Sequence, residues 1–211
     1  MRTAIVAGAS GLIGRALVQK LINSDQYRLI YILSRRKSEL INLKIKELVI
    51  DFENIDSLRF DVPIDDVFCT LGTTLKQAGS RANFKKVDYQ YVVALAKLTK
   101  REGASKFLVI SSMGANSKSA VFYNSVKGMT EDTLKTIGFK QLVILRPSLL
   151  QGKRTEIRFA EQVSLFIMRA LNFLIPLNYK VIKAEKVADS MLKMAIESCA
   201  KVTVIKSGEM Q

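Results

Sequence analysis

Histidine is absent from the 211-residue chain. That removes Ser-His-Asp triads, histidine-ligated zinc and every imidazole acid or base. Proton chemistry must then come from Tyr, Lys, Ser or carboxylates, or be shared with a cofactor. Cysteine is scarce: Cys69 and Cys199 lie far apart without metal-ligand spacing. This excludes a disulfide framework, gives no reason to expect a metal, and fits a reducing compartment, with the cytoplasm as the expected location. Negative charge is the minor sign, 19 Asp and Glu against 33 Lys and Arg, for a net +14. The surplus favours anionic ligands, but it is spread along the chain rather than gathered in blocks, so nucleic acid is not an expected partner.

Long uninterrupted apolar runs are also missing. The most apolar long segment, 157–177, carries Arg158, Glu161 and Arg169 and reaches Pro176, so it makes a poor membrane-spanning helix. Peripheral membrane contact through Phe166, Ile167, Leu171, Phe173 and Leu174 is a minor reading. The stretch 3–7 runs into a glycine turn and reads as a strand rather than a secretory leader. Repeats, low-complexity tracts and linkers are lacking. With 48% hydrophobic residues, the chain reads as a single α/β domain over 1–211, in which 151–185 forms a small C-terminal lobe on the substrate side.

What is present is an alternation. Strand-length apolar runs occur at 3–7, 28–33, 47–50, 66–69, 106–111, 141–146 and 201–205. Helix-period stretches fall at 12–22, 84–101, 122–137, 157–173 and 186–198. Strand segments such as LVI, FLVI and LVIL are continuously apolar rather than alternating, as expected where helices cover both faces. The order predicts an α/β doubly wound parallel sheet. Gly103 and Gly138 read as caps at helix C-termini.

The first strand leads directly into Gly8, Ser10, Gly11, Leu12, Ile13 and Gly14, followed by an amphipathic helix. This is the pattern of a pyrophosphate-binding turn: one glycine for the bend, one for close approach of the ligand and one for close helix packing. A free ribose 2′-hydroxyl is usually held by an acid about 20 residues further on. Here the second strand ends in Ser34, Arg35, Arg36 and Lys37, with no carboxylate before Glu39. A guanidinium pairs well with a 2′-phosphate, so NADP is favoured over NAD, with Arg35 as the reading residue and Ser34 as a donor. Asp51 and Phe52, after the third strand, are candidates for the adenine edge, although an Asp in that place is also an ordinary cap. After the fourth strand, Thr70, Leu71 and Gly72 should pass beneath the nicotinamide-side ribose, and Cys69 reads as a small buried residue.

A second motif follows. Ser111 and Ser112 end the fifth strand, and Tyr123 and Lys127 stand four apart on the next helix, so the phenol and ammonium share a face. A nearby ammonium favours phenolate over phenol, whose isolated pKa is about 10, and makes proton exchange with a carbonyl practicable near neutrality.

Taken in order, GASGLIG, CTLGTT with KQAG, FKKVDYQYV, VISSMGANSKS, FYNSVKG and LRPSLL resemble the short-chain dehydrogenase/reductase superfamily, specifically its atypical branch typified by the HIV Tat-interacting oxidoreductase. The resemblance implies a Rossmann fold, with Ser112 orienting the substrate and Ser111 as its neighbouring candidate. It also implies Tyr123 as general acid/base and Lys127 as its partner and ribose ligand. Pro147 and Ser148 would flank the nicotinamide. Asp88 stands where many extended relatives carry asparagine.

The expected function is NADP(H)-dependent hydride transfer to or from a small or apolar carbonyl or alcohol, by a monomer or homodimer. Two other readings stay open: a nucleotide-sensing regulator with little turnover, and an NAD-dependent epimerase or dehydratase. The short region after Arg146 argues against a nucleotide-sugar substrate.

Overall fold

The computed structural model describes residues 1–38, 40–151 and 177–211. Seven parallel strands form the main sheet: β1 (Arg2–Ala7), β2 (Tyr27–Ser34), β3 (Ile45–Val49), β4 (Asp66–Cys69), β5 (Lys106–Ile110), β6 (Gln141–Arg146) and β9 (Val202–Lys206). Their spatial order is β3-β2-β1-β4-β5-β6-β9. The chain therefore winds outward from β1 in one direction and from β4 in the other, which opens a crevice at the carboxyl ends of these two strands. A two-residue parallel ladder joins β7 (Leu150–Gln151) to β8 (Ile182–Lys183). The expected lobe 151–185 and its helix 157–173 lie largely outside the described residues, as does Glu39.

Strand alternation divides the core into two layers. Ala4 and Val6 face α1 (Leu12–Ile22) and α6 (Ala184–Ile196), meeting Leu17, Val187 and Met191. Ile5 and Ala7 face the opposite layer, with Val92 and Leu95 of α4 (Tyr91–Arg101) and Leu134 of α5 (Phe122–Ile137). Each fully buried Val, Leu, Ile or Met among these contributes roughly 1.5–3 kcal/mol relative to exposure. The doubly wound parallel sheet is thus the observed architecture.

The helix expected over 84–101 is not uniform. Short α2 (Leu75–Ala78) and α3 (Arg81–Lys85) precede a π-helical turn, Lys86–Gln90, which then runs on into α4. At that turn the Thr130 hydroxyl of α5 donates to the Asp88 carbonyl at 2.9 Å, and the Asp88 side chain is drawn inward. A widened turn of this sort re-aims a side chain and is frequent at functional sites. At the end of α5, Gly138 closes the helix in the left-handed conformation, φ +82.

Candidate active site

The glycine turn sits at the topological switch point. Gly8 has φ +92, and a Cβ on it would lie 2.6 Å from the Thr70 carbonyl carbon after β4. Gly14 lets α1 pack against the turn, since a Cβ there would come within 2.1 Å of the Gly8 carbonyl oxygen. Gly11 is the N-cap of α1, with no side-chain cap and no acid in the first turn. Its helix end therefore presents open N–H groups and the positive end of the helix dipole to an anion. Ser10 and Gly11 are exposed there, Leu12 is half-buried, and Ile13 anchors the turn in the core.

From this turn the rim continues through Thr70 to Leu71 and Gly72, and there it reaches α5. A Cβ on Gly72 would stand 3.5 Å from Asp88 Oδ1 and 3.9 Å from Lys127 Nζ. Lys127 Nζ lies 2.7 Å from Asp88 Oδ1, both side chains being almost fully buried. Asp88 Oδ2 accepts the Thr73 N–H at 2.9 Å, whereas Oδ1 has the ammonium as counter-charge but no aligned donor. Burial works against charge on Lys127, but facing Asp88 and Tyr123 outweighs it, and the pKa is held above that of a free lysine. Tyr123, one turn earlier on α5, is half-buried and packs against Phe84 of α3 at 5.4 Å between ring centroids. The loop after β5 lies tightly on α5: Asn116 N donates to the Asn124 carbonyl, and a Cβ on Gly128 would sit 2.1 Å from Ser117 N. Glycine turn, Gly72, Lys127 and the β5 loop thus share one rim of the sheet.

The two serines at the end of β5 part company. Ser111 Oγ donates to Glu131 Oε1 at 2.5 Å, and Arg146 holds the same carboxylate through Nε at 2.9 Å and Nη2 at 2.5 Å. Ser112 Oγ is buried and has no hydrogen-bond partner among the described residues. Glu131 and Arg146 had escaped sequence reasoning, although Tyr123, Lys127 and Glu131 follow one another at helical spacing.

The remaining candidates are placed as follows. Arg35, Arg36 and Lys37 are exposed at the carboxyl end of β2. Ser34 Oγ is engaged with the Arg36 carbonyl at 2.8 Å and with Glu47 at 3.0 Å. Glu47, which the glycine-to-acid spacing could not reveal because it arrives from β3, also accepts the Ser38 N–H. Asp51 accepts from the Glu53 N–H and the Asn54 amide, which together hold its carboxyl below the usual range. Phe52 is 4% exposed and stacks on Tyr91, so its ring belongs to the core layer. Pro147 is buried and its carbonyl accepts the Met113 N–H. Ser148 donates to the Lys180 carbonyl and receives Ser207 Oγ. Burial pushes the Cys69 thiol up to about 12, which leaves it inert.

A nicotinamide dinucleotide fits these residues on two counts: the glycine cradle leaves no room for side chains, and a buried hydroxyl at the rim lacks a partner. Among the described residues no group of His, Cys, Asp or Glu could hold a metal ion. Nor is any described helix long and apolar enough to cross a membrane.

Comparison with known proteins agrees. A family described as NAD(P)H-binding matches residues 8–197. The chain is similar to the mitochondrial protein FMP52 of Candida albicans, 37% identical over 72% of this chain and 68% of the relative. FMP52 of Eremothecium gossypii is 31% identical over 98% and 94%, and rat HTATIP2 33% identical over 76% and 67%. Among solved structures, a short-chain oxidoreductase from Burkholderia thailandensis superposes with a TM-score of 0.74 at 15% identity, covering 99% of this chain and 92% of its own. UDP-glucose 4-epimerase from Thermotoga maritima gives 0.73 at 19%, covering 98% and 77%. At these identities the two structures speak for the Rossmann fold alone. The expected cytoplasmic location is overturned, because the FMP52 relatives are named mitochondrial proteins. Two unpaired cysteines separate reducing from oxidising surroundings and cannot choose among reducing compartments. The chain belongs to the NAD(P)H-binding family, with the FMP52 proteins and HTATIP2 among its relatives.

Proposed function

We propose that the protein is an NADP(H)-dependent reductase of small or apolar carbonyl compounds, working in mitochondria as the names of its FMP52 relatives suggest. The observation that carries this reading is the buried Ser112 hydroxyl without a partner among the described residues, beside the loop that packs on α5 at Asn124 and Gly128, next in sequence to Tyr123 and Lys127 respectively. An unsatisfied buried hydroxyl costs free energy unless a ligand completes it. A carbonyl oxygen at that point accepts from Ser112 and receives its proton from the Tyr123 phenol. Lys127, kept charged by Asp88, holds the ribose next to the phenol and stabilises negative charge left on it. Gly8, Ser10, Gly11, Leu12, Ile13 and Gly14 receive the pyrophosphate, and Thr70, Leu71, Gly72 and Pro147 border the nicotinamide half. When bound, the nicotinamide supplies the hydride.

The preference for NADP rests on the exposed Arg35, Arg36 and Lys37 at the end of β2. Ser34 and Glu47 brace that turn from within rather than offering themselves outward. Ser111 and Ser148 act in the same way, as braces behind the site, and Asp51 and Phe52 shape the loop after β3.

Tyr123→Phe tests the proposal. Carbonyl-dependent NADPH consumption across a panel of aldehydes, ketones and quinones should fall by about 10²- to 10⁴-fold, with NADPH affinity retained. Equal consumption by wild type and variant would overturn the assignment. Tight NADPH binding with no consumption of any panel member by the wild type would favour nucleotide sensing instead.

A further inference from the structure

Ile41 and Leu43, in the connection from β2 to β3, are 97% and 105% exposed. Apart from Met1, no other large apolar side chain among the described residues is more than 58% exposed. A single exposed leucine calls for no explanation. Here, however, the loop around the pair is firmly built. Leu40 packs against the α1 layer, and Ile45 does the same from the start of β3. Between them the Lys44 ammonium donates to the Ile22 and Ser24 carbonyls at 2.7 and 2.9 Å, closing the end of α1, while Asn42 Oδ1 accepts the Lys44 N–H at 2.9 Å. The chain thus turns two aliphatic residues inward and holds the two next to them out in water, against the hydrophobic effect. The same stretch is strongly basic: residues 27–46 contain Arg28, Arg35, Arg36, Lys37, Lys44 and Lys46 against the one acid Glu39. Arg28, Arg35, Arg36 and Lys37 are exposed. Arg28 belongs to the same corner, because Ile30, two residues on, donates its N–H to the Lys44 carbonyl at 2.7 Å. Glu47, the next acid, is turned to Ser34 and Ser38.

We infer that the β2–β3 loop is a membrane-docking element, in which Ile41 and Leu43 enter the acyl boundary of an anionic bilayer while Arg28, Arg36 and Lys37 meet its phosphate headgroups. A bilayer asks for this combination: apolar side chains that reach about 5–10 Å into the headgroup and acyl boundary, and cations within reach of the anionic surface. A protein partner asks for something else, about 800 Å² of complementary surface on each side, and two protruding side chains fall far short of it. β3 is the outer strand of the sheet, with β2, β1 and β4 between it and β5. Docking by that edge leaves the rim with Ser112 and Tyr123 open to substrate. Neither the reaction proposed above nor the segment 157–177 enters into this docking.

The chain has no tryptophan, so Leu43→Trp supplies a single fluorescent reporter at the loop. Full-length wild type, Leu43→Trp and the double variant Ile41→Ser, Leu43→Ser are mixed with vesicles of phosphatidylcholine, alone or with phosphatidylglycerol, and binding is read by co-sedimentation. Wild type should bind the anionic vesicles in preference to the neutral ones, more weakly as salt is raised. The double variant should bind them at least about tenfold more weakly, yet unfold at the wild-type temperature. Emission from Leu43→Trp should move to shorter wavelength on anionic vesicles and be quenched by brominated acyl chains. Equal binding by wild type and double variant would mean adsorption by charge alone or contact through another segment, and would overturn the inference; so would an unshifted reporter or the absence of vesicle binding. Self-association of wild type that is lost in the double variant, without vesicle binding, would assign the loop to contact between copies of this chain instead.

Discussion

Two buried carboxylates at opposite ends of the parallel sheet, Asp66 and Asp88, are satisfied differently. At the amino ends of the strands, Asp66 is fully buried, yet each oxygen has a donor: Arg2 at 2.5 Å and the Tyr27 hydroxyl at 2.7 Å. Lys106, at the start of β5, donates to the Ala195 and Glu197 carbonyls at 2.6 and 2.7 Å and so closes the end of α6. At the carboxyl ends, Asp88 Oδ1 and Ser112 Oγ are buried without aligned partners. Saturated polar groups hold a fold together, whereas an incomplete one beside the glycine-lined rim has capacity left for a ligand. The contrast is between these groups rather than whole ends of the sheet, since among the described residues Thr3 Oγ1 and Gln141 Oε1 near the amino ends also lack partners and Ser111 and Glu131 near the carboxyl ends have them.

Asp66→Ala is the harshest way to break this contrast. It leaves Arg2 and the Tyr27 hydroxyl without their acceptor and should cost about 3–5 kcal/mol in urea denaturation, while the folded fraction keeps wild-type NADPH affinity. A parallel loss of affinity would mean that the two ends are not separate. A matched pair of hydroxyl deletions sharpens it further. Tyr27→Phe should destabilise by about 1–3 kcal/mol, because Asp66 loses a donor, whereas Ser112→Ala, which removes a hydroxyl with nothing to lose, should leave stability unchanged or slightly raised. Turnover should respond the other way round, falling for Ser112→Ala and holding for Tyr27→Phe.

The smallest effect is in the pH dependence of stability. Burial is the largest influence on Asp66 and pushes its carboxyl above the ordinary 3.8, against the opposing pull of Tyr27 and Arg2. The folded protein then holds that proton more tightly than the unfolded chain, so stability from this source falls as pH rises from 3.8 through the raised folded value. Glu47, on the other side of the comparison, is pushed up by burial but held below 4.5 overall by the hydrogen bonds from Ser38 and Ser34. Its contribution is present above pH 4.5 and disappears as the pH falls through the lowered folded value. Denaturation curves of Asp66→Asn and Glu47→Gln from pH 3 to 7 should therefore depart from wild type with opposite slopes; slopes of one sign would contradict the electrostatics of one of the two sites.

The sequence by itself determined the strand and helix alternation, the glycine turn and the Tyr123–Lys127 spacing, because each depends on residues within a few positions of one another. Continuous apolar strands imply helices on both faces, and four residues make one helical turn. Strand ends were legible to within a few residues, as at β3, expected over 47–50 and observed as Ile45–Val49. Only the tertiary structure decided which polar groups are complete. Ser111 and Ser112 are adjacent and chemically identical, yet Glu131, twenty residues on, engages the first and leaves the second. Asp66 and Asp88 are both buried carboxylates, but Arg2, from a strand sixty-four residues earlier, helps to saturate one of them. Phe52 entered the core because Tyr91 is there to stack on it, and Glu47 reached Ser34 across a strand pair. Whether a polar atom is satisfied depends on what distant segments bring within about 3 Å of it, and no local pattern records that distance.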